Sequence, residues 1–219
     1  MNDSSGKNAA VMHATLLMEQ GRYAEAEGRF REALGEDPGD PISLHNLAFC
    51  QYPQPARSDE AERTILAALA ENPDDADHHG LHALILLDLE RIAEARSAAV
   101  RALELAPSSV FAHNAMTAVL LHAKEWPEAE AQARKALALD ADDPAAANHL
   151  ALALRMQGRH EENAAQIRGM LARDPEDAAT HVSAGWSELQ AGRAAKAEEH
   201  FREALRIDPD DDYARAGLL

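Results

Sequence analysis

Histidine is the residue type in this chain that most readily suggests chemistry, with 11 in the sequence. His78 and His82 are four residues apart, so a helix would place both imidazoles on one face, where they could bind one metal ion. His79, His113 and His181, however, share one phase of a 34-residue period, and a residue that recurs in phase meets a structural requirement. No third ligand is identifiable. We therefore predict packed or partly exposed histidines and no metal site, with a histidine-based metal-binding module as the minor alternative.

Catalytic motifs are incomplete or missing. His160 and Glu161 begin the zinc-protease pattern H-E-x-x-H, but Ala164 stands where the second histidine belongs. The sequence has no G-x-S-x-G, no Walker glycine loop and no dinucleotide fingerprint. Cys50 is the only cysteine, so no intrachain disulfide and no cysteine-based metal site can form. The sequence predicts no enzyme activity and no cofactor.

Four acidic clusters, EDPGD, ENPDD, DPEDA and DPDDD, resemble cation-binding loops when each is considered alone. All four fall at the same phase of the 34-residue period, and none has the spacing of a calcium loop. An aspartate just before a helix accepts a backbone hydrogen bond and favours the positive end of the helix dipole. We therefore predict that these acids cap helices.

The charge balance limits the choice of partners. With 38 Asp and Glu against 21 Lys and Arg, the formal net charge is −17, which repels nucleic acid and anionic membranes. The N-terminal residues lack the basic region of a secretory signal, and no stretch approaches the ~20 apolar residues of a membrane span. We expect a soluble, cytoplasmic chain.

Three sets of residues share one register. A dipeptide ending in leucine recurs at steps of 35 and then 34 residues: Ala33-Leu34, Ala68-Leu69, Ala102-Leu103, Ala136-Leu137, Met170-Leu171 and Ala204-Leu205. A second set consists of small residues: Ala14, Ala48, Ala83, Thr117, Ala151 and Gly185. The third set has one exception, Asn163: Ala26, Ala61, Ala95, Ala129, Asn163 and Ala197. Such agreement indicates an internal repeat.

Each repeat predicts two helices. In the last full repeat, Gly192 lies where a left-handed residue would end the first helix, and Phe201 lies on the apolar face of the second. In the second repeat, Pro53 and Pro55 bar helix continuation, so the first helix should end near Tyr52. A single helix pair cannot bury both of its faces, so we expect consecutive pairs to stack.

This register resembles the tetratricopeptide repeat, which has 34 residues, small residues where helices touch and a closing A-L-x-x-x-P. The first repeat matches the family's residue types most clearly, at Gly21, Tyr23, Ala26, Phe30, Ala33, Leu34 and Pro38. The resemblance implies an all-α fold, a right-handed superhelical solenoid of six helix pairs plus a short C-terminal partial helix. The implied boundaries are a flexible N-terminus at 1–6, repeats at 7–40, 41–75, 76–109, 110–143, 144–177 and 178–211, and the start of a capping helix at 212–219.

The resemblance also implies a concave groove, lined by the first helix of each pair, that binds a partner. The family's groove positions correspond to Phe111, Asn114, Leu121, His122, Asn148, Leu152, Arg155, Met156, Trp186 and Gln190. Asn114 and Asn148 could hydrogen-bond an extended peptide backbone. The alternative is that the leucines and Trp186 simply pack against neighbouring helices. No run of three repeats supplies the Lys, Asn and Arg set of the family's carboxylate clamp, which disfavours docking of acidic chaperone tails.

The sequence therefore predicts a protein- or peptide-binding adaptor that uses the groove. One alternative is a structural module that self-associates through the ends of the solenoid. Another rests on the ending YARAGLL, which is similar to the junction at which some bacterial repeat proteins continue towards membrane helices. In that case the chain is the soluble domain of a longer, membrane-anchored bacterial protein.

Overall fold

The computed structural model describes the backbone of residues 3–218 and the side chains of residues 10–18, 20–54 and 56–218. Within residues 3–218 the chain forms α-helices and one 3-10 turn at Pro55–Arg57, with no strand. The helices are α1 Asp3–Glu19, α2 Tyr23–Glu36, α3 Pro41–Gln51, α4 Ser58–Glu71, α5 Ala76–Asp88, α6 Ile92–Leu105, α7 Val110–His122, α8 Trp126–Leu139, α9 Pro144–Met156, α10 His160–Arg173, α11 Ala178–Gln190, α12 Ala194–Ile207 and α13 Asp212–Gly217. The all-α prediction is confirmed. Of the predicted N-terminal segment 1–6, residues 1–2 lie outside the described residues, and α1 begins at Asp3.

The chain divides into two compact units, residues 1–119 and 120–219. In the first unit α1 packs on α2, α3 on α4 and α5 on α6, and each pair also contacts the next. In the second unit α9 packs on α8 and α10, α11 on α10 and α12, and α13 on α12. Helix–turn–helix pairs that stack in chain order are the arrangement that the repeat predicts. Among residues 3–218, none of the helices is long and apolar enough to cross a bilayer.

Aspartates cap the first helices, as predicted from the acidic clusters. The Asp40 carboxylate accepts a hydrogen bond from the Ser43 N–H at 2.9 Å, and Asp177 accepts one from the Thr180 N–H at 3.1 Å. These bonds satisfy backbone donors that have no partner within the helix. The turn inside the last pair is made by Gly192, whose φ of 73° is the left-handed conformation expected there.

The small residues of the third in-register set allow the two helices of a pair to approach closely. Ala26, Ala61, Ala95, Ala129 and Ala197 are all fully buried. The exception, Asn163, is buried as well, and its Nδ2 donates to the Ser187 Oγ at 3.0 Å. The departure from alanine thus adds a hydrogen bond between α10 and α11, while the buried Asn163 Oδ1 has no partner among the described residues.

The proline-rich loop of the second repeat behaves as predicted. Helix α3 ends at Gln51, with Tyr52 as its C-cap, and the 3-10 turn Pro55–Arg57 leads into α4. The reason is that proline lacks a backbone N–H and restricts the residue before it. Arg57 at the end of this turn donates two hydrogen bonds, of 2.8 and 2.5 Å, to the buried carboxylate of Glu27 on α2. The irregular loop thus ties two consecutive pairs together.

Candidate functional site

A cavity of about 540 Å³ lies in the unit of residues 120–219, among α9, α11 and the start of α13. We call it the Arg155 cavity, and its principal side chains are Asn148, Leu152, Arg155, Val182, Trp186 and Tyr213. Helix spacing brings them together. Asn148, Leu152 and Arg155 follow one another at four and three residues along α9, and so share one face.

Arg155 is the cationic group of the cavity. It is partly buried, and that burial lowers the pKa of its guanidinium below its usual value, although an arginine stays charged in proteins. Among the residues that the structure describes, Arg155 makes no hydrogen bond and no ion pair. Its neighbour on the chain, Arg159, by contrast forms ion pairs with Glu130 and Glu162. Arg155 therefore has its full capacity to bind an anion.

Three more polar residues of the cavity have bonding capacity to spare. Within the described part of the chain, the buried Asn148 Oδ1, His149 Nδ1 and Asn163 Oδ1, which all belong to cavity residues, have no hydrogen-bond partner. Burial lowers the pKa of His149 to about 4, so its imidazole is neutral at pH 7 and adds no positive charge to the site. Leaving a buried polar atom without a partner costs about 1–3 kcal/mol. A ligand that bonds to these atoms would recover part of that free energy.

Trp186 packs in the core of its unit and also faces the Arg155 cavity. Its indole packs edge-on against Phe201, with ring centroids 5.4 Å apart and an interplanar angle of 70°. The same side chain lines the Arg155 cavity and remains partly exposed. The core of the unit therefore fixes the orientation of this indole, and rigid aromatic side chains are common anchors in binding sites.

The remaining predicted groove residues do not line the Arg155 cavity, and they differ in exposure. His122, Met156 and Gln190 are exposed, without lining the Arg155 cavity. Asn114 and Leu121 are each only 8% exposed, and for Leu121 this agrees with the packing alternative. The reason lies in α7, whose sequence VFAHNAMTAVLLH is apolar around most of its circumference and is therefore buried on most sides.

Phe111, the last predicted groove residue, belongs to the unit of residues 1–119 and packs against α5. Its ring lies so close to Gly80 that a Cβ built there would be 2.8 Å from the Phe111 Cε1. This contact makes Phe111 part of the packing of its own unit.

Sequence reasoning missed Tyr213 and His149. Tyr213 is 75% exposed and follows Ala179, a cavity residue, by one repeat of 34 residues, so the repeat phase could have identified it. His149 directly follows Asn148 and lies outside the phase of the recurring histidines, but no sequence signal marks it as a cavity residue.

The recurring histidines have a structural explanation. The Nε2 atoms of His79, His113 and His181 each lie 2.8–3.0 Å from the carbonyl oxygen of the proline six residues earlier. Each imidazole therefore ties the start of a first helix to the preceding turn. The other pair, His78 and His82, does not converge: the ring of His78 lies against that of His45, and the His82 Nε2 lies 3.6 Å from a Glu62 oxygen. In the part of the chain that the structure describes, no three potential ligands are grouped for a metal ion.

Comparison with known proteins identifies the repeat. Two family models described as tetratricopeptide repeat match the chain, one at residues 17–85 and the other at residues 119–178 and 164–212. Together these ranges cover most of the sequence. The chain belongs to the tetratricopeptide repeat family, whose stacked helix pairs are scaffolds for protein–protein interaction. No curated protein matches the sequence at a significant level.

Solved structures share the fold. PilW, a widely conserved type IV pilus biogenesis factor, is 21% identical, with a TM-score of 0.75 over 97% of this chain and 98% of that chain. A thermophilic TPR protein of Thermus thermophilus is 25% identical, with a TM-score of 0.77 over 84% of this chain and 99% of that chain. YrrB, a TPR protein with an unusual peptide-binding site, is 22% identical, with a TM-score of 0.55 over 87% of this chain and 98% of that chain.

Proposed function

We propose that this chain is a non-catalytic adaptor and that a protein or peptide segment docks in the Arg155 cavity. The observation that carries the proposal is the cavity lining. Partly exposed apolar side chains lie there beside polar groups that have no hydrogen-bond partner among the described residues. Its volume of about 540 Å³ falls in the range of ligand-binding pockets. Such pockets combine an apolar wall with a few polar groups that orient the ligand.

The residue types of the cavity favour a protein ligand. Tryptophan, tyrosine and arginine are the residues that most often dominate binding energies at protein interfaces, and Trp186, Tyr213 and Arg155 all line this cavity. Leu152 and Val182 lie in the middle of α9 and α11, so the helical backbone fixes their positions. The fold is also that of YrrB, which is described as having a peptide-binding site. The other groove positions, His122, Met156 and Gln190, are exposed and would extend the contact surface.

Self-association is the second candidate, and α1 carries the observation that favours it. Met12 and Leu16 are 73% and 50% exposed and lie four residues apart, so they form an apolar stripe on one helix face. If this stripe binds a second copy, the chain should sediment as a dimer, and Met12→Glu with Leu16→Glu should make it monomeric. A monomer at all concentrations would remove this candidate.

A cytoplasmic location forms part of the proposal, with the soluble domain of a longer, membrane-anchored protein as the alternative. Fractionation of cells that carry the tagged native gene distinguishes the two. Recovery in the cytosol supports the first, and recovery with membranes that resists salt washing supports the second.

A displayed library of random decapeptides, selected on the purified chain, tests the docking site. We expect the enriched peptides to bind the wild-type protein and to lose most of their affinity for Trp186→Ala. Leu139→Ala is the matched control, since Leu139 is 46% exposed on α8 and does not line the cavity. Enriched peptides that bind both variants as they bind the wild type would place docking elsewhere, and a selection that enriches nothing would contradict the proposal.

A further inference from the structure

The lining of the Arg155 cavity differs from the rest of the chain in its charge. The protein has 38 acidic residues, yet among the described residues no aspartate or glutamate lines the cavity. Arg155 therefore creates a local positive potential in a chain of net charge −17. A partner that places a negative group here meets attraction in the cavity of an otherwise acidic chain.

The repeat does not require an arginine at this position. The residues that occupy its phase in the other repeats are Met18, Tyr52, Leu87, Leu121 and Leu189. All five are apolar, and Leu87 and Leu121 are buried. Arg155 thus replaces a packing residue with a cation that no described residue neutralises. Holding a charge partly out of water without a counter-ion costs free energy, so its presence has to be explained by something other than folding.

We infer that Arg155 binds the carboxylate of an internal aspartate or glutamate of the docked peptide, while Trp186 and Leu152 contact an apolar neighbour of that residue. The planar guanidinium fork matches a carboxylate with two parallel hydrogen bonds. Asn148 offers both a donor and an acceptor for the peptide backbone beside the acidic residue. This inference rests on the proposed function, because it names the ligand chemistry of the same cavity.

Two other anionic groups fit the cavity less well. Phosphorylated side chains carry close to two negative charges and are generally bound by clusters of arginines. Among the described lining residues Arg155 is the only cation, since His149 is neutral. Terminal carboxylates are captured by several converging donors, either backbone N–H groups or, in this family's clamp, a set of Lys, Asn and Arg side chains. No run of three repeats supplies that set, and the cavity residues of α9 lie inside the helix, where backbone N–H groups already bond along the helix. A single guanidinium fits a side-chain carboxylate.

The test begins with the peptides that the decapeptide selection enriches, synthesised with acetylated and amidated ends. We expect them to share an acidic residue next to an apolar one. Replacing that residue by its amide should weaken binding to the wild-type protein roughly 10- to 100-fold, since a hydrogen-bonded charge contributes that much. The same peptide change should alter binding to Arg155→Gln less than about threefold, because the partner charge is already missing.

Two control variants accompany this comparison of wild-type and Arg155→Gln protein with acidic and amide peptides. Arg168→Gln removes an exposed arginine on α10 that does not line the cavity, and it should bind all peptides as the wild type does. Arg155→Lys keeps the charge without the fork and should give an intermediate affinity. Circular dichroism checks that each variant is folded before its affinity is compared.

The possible failures are distinguishable. Suppose that the peptides lose affinity for Trp186→Ala but show no preference for an acidic residue. The inference would then be overturned while the docking site remained in place. The same conclusion would follow if the amide replacement weakened binding equally to the wild type and to Arg155→Gln. A clear preference for phosphoserine, or for a free C-terminus over an internal glutamate, would likewise overturn it and assign the cavity to that group. A selection that enriches nothing would overturn both proposals.

Discussion

Replacing Trp186 with alanine tests whether one side chain supports both the fold and the binding site. Removal of a fully buried tryptophan costs about 3–5 kcal/mol of unfolding free energy. Because this indole is partly exposed at the cavity, we expect about 2–3 kcal/mol, of which the edge-on contact with Phe201 at 5.4 Å supplies about 1 kcal/mol. For a chain of this size such a loss lowers the melting temperature by about 4–12 °C.

Urea denaturation followed by circular dichroism measures the loss of stability from Trp186→Ala, with Leu139→Ala as the control that should change by no more than about 0.5 kcal/mol. Affinity for a selected peptide is then measured at a temperature where the variant is folded, and should fall by about 1–4 kcal/mol. An unfolding free energy equal to that of the wild type would refute the packing role derived from the Phe201 contact. Wild-type affinity in the folded variant would remove Trp186 from the site.

Three further changes test individual features of the structure. Arg155→Met should raise the unfolding free energy, measured in a thermal melt, by about 1 kcal/mol. The reason is that it replaces an unpaired, partly buried charge with an apolar residue, the type found at the equivalent position of the other repeats. A decrease would contradict this. Burial lowers the pKa of His45 from 6.5 to about 4, so the unfolded chain takes up the proton first. Stability should therefore be complete above about pH 6.5 and fall as the pH approaches 4, and His45→Gln should flatten part of that decline in a pH series of melts. Gly185→Ala should cost about 1–3 kcal/mol because its Cβ would lie 2.5 Å from an aromatic ring, whereas Gly169→Ala, with open space around it, should be neutral or stabilising on denaturation.

The repeat register made most of the fold predictable. Gly192 could be assigned a left-handed conformation because the register placed it just after a helix, and its φ is 73°. The early end of α3 at Gln51 followed from two prolines whose backbone constraints are local and independent of tertiary structure. Features that depend on local backbone chemistry and on a repeated period can be predicted from one sequence.

The composition of the site was less predictable, because it depends on which side of each helix is covered. Asn114 and Asn148 occupy the same phase, yet Asn114 is 8% exposed while Asn148 lines the Arg155 cavity. The family positions give both residues the same role, and only the packing around each helix distinguishes them. The repeat phase places Tyr213 at the position of the cavity residue Ala179, but the contribution of its six-residue helix α13 to the cavity also depends on how α13 packs on α12.

In a repeat protein, the residues that depart from the register without a structural partner are the ones to examine for binding. The three in-phase histidines contact proline carbonyls, and their recurrence is explained by the turns that they hold. Asn163 departs from alanine, but its amide bonds to Ser187 across two helices. Arg155 departs from a row of apolar residues and, among the described residues, has nothing to bond to. Since an uncompensated charge destabilises the free protein, its position in a cavity next to Trp186 points to a ligand that supplies the missing negative charge.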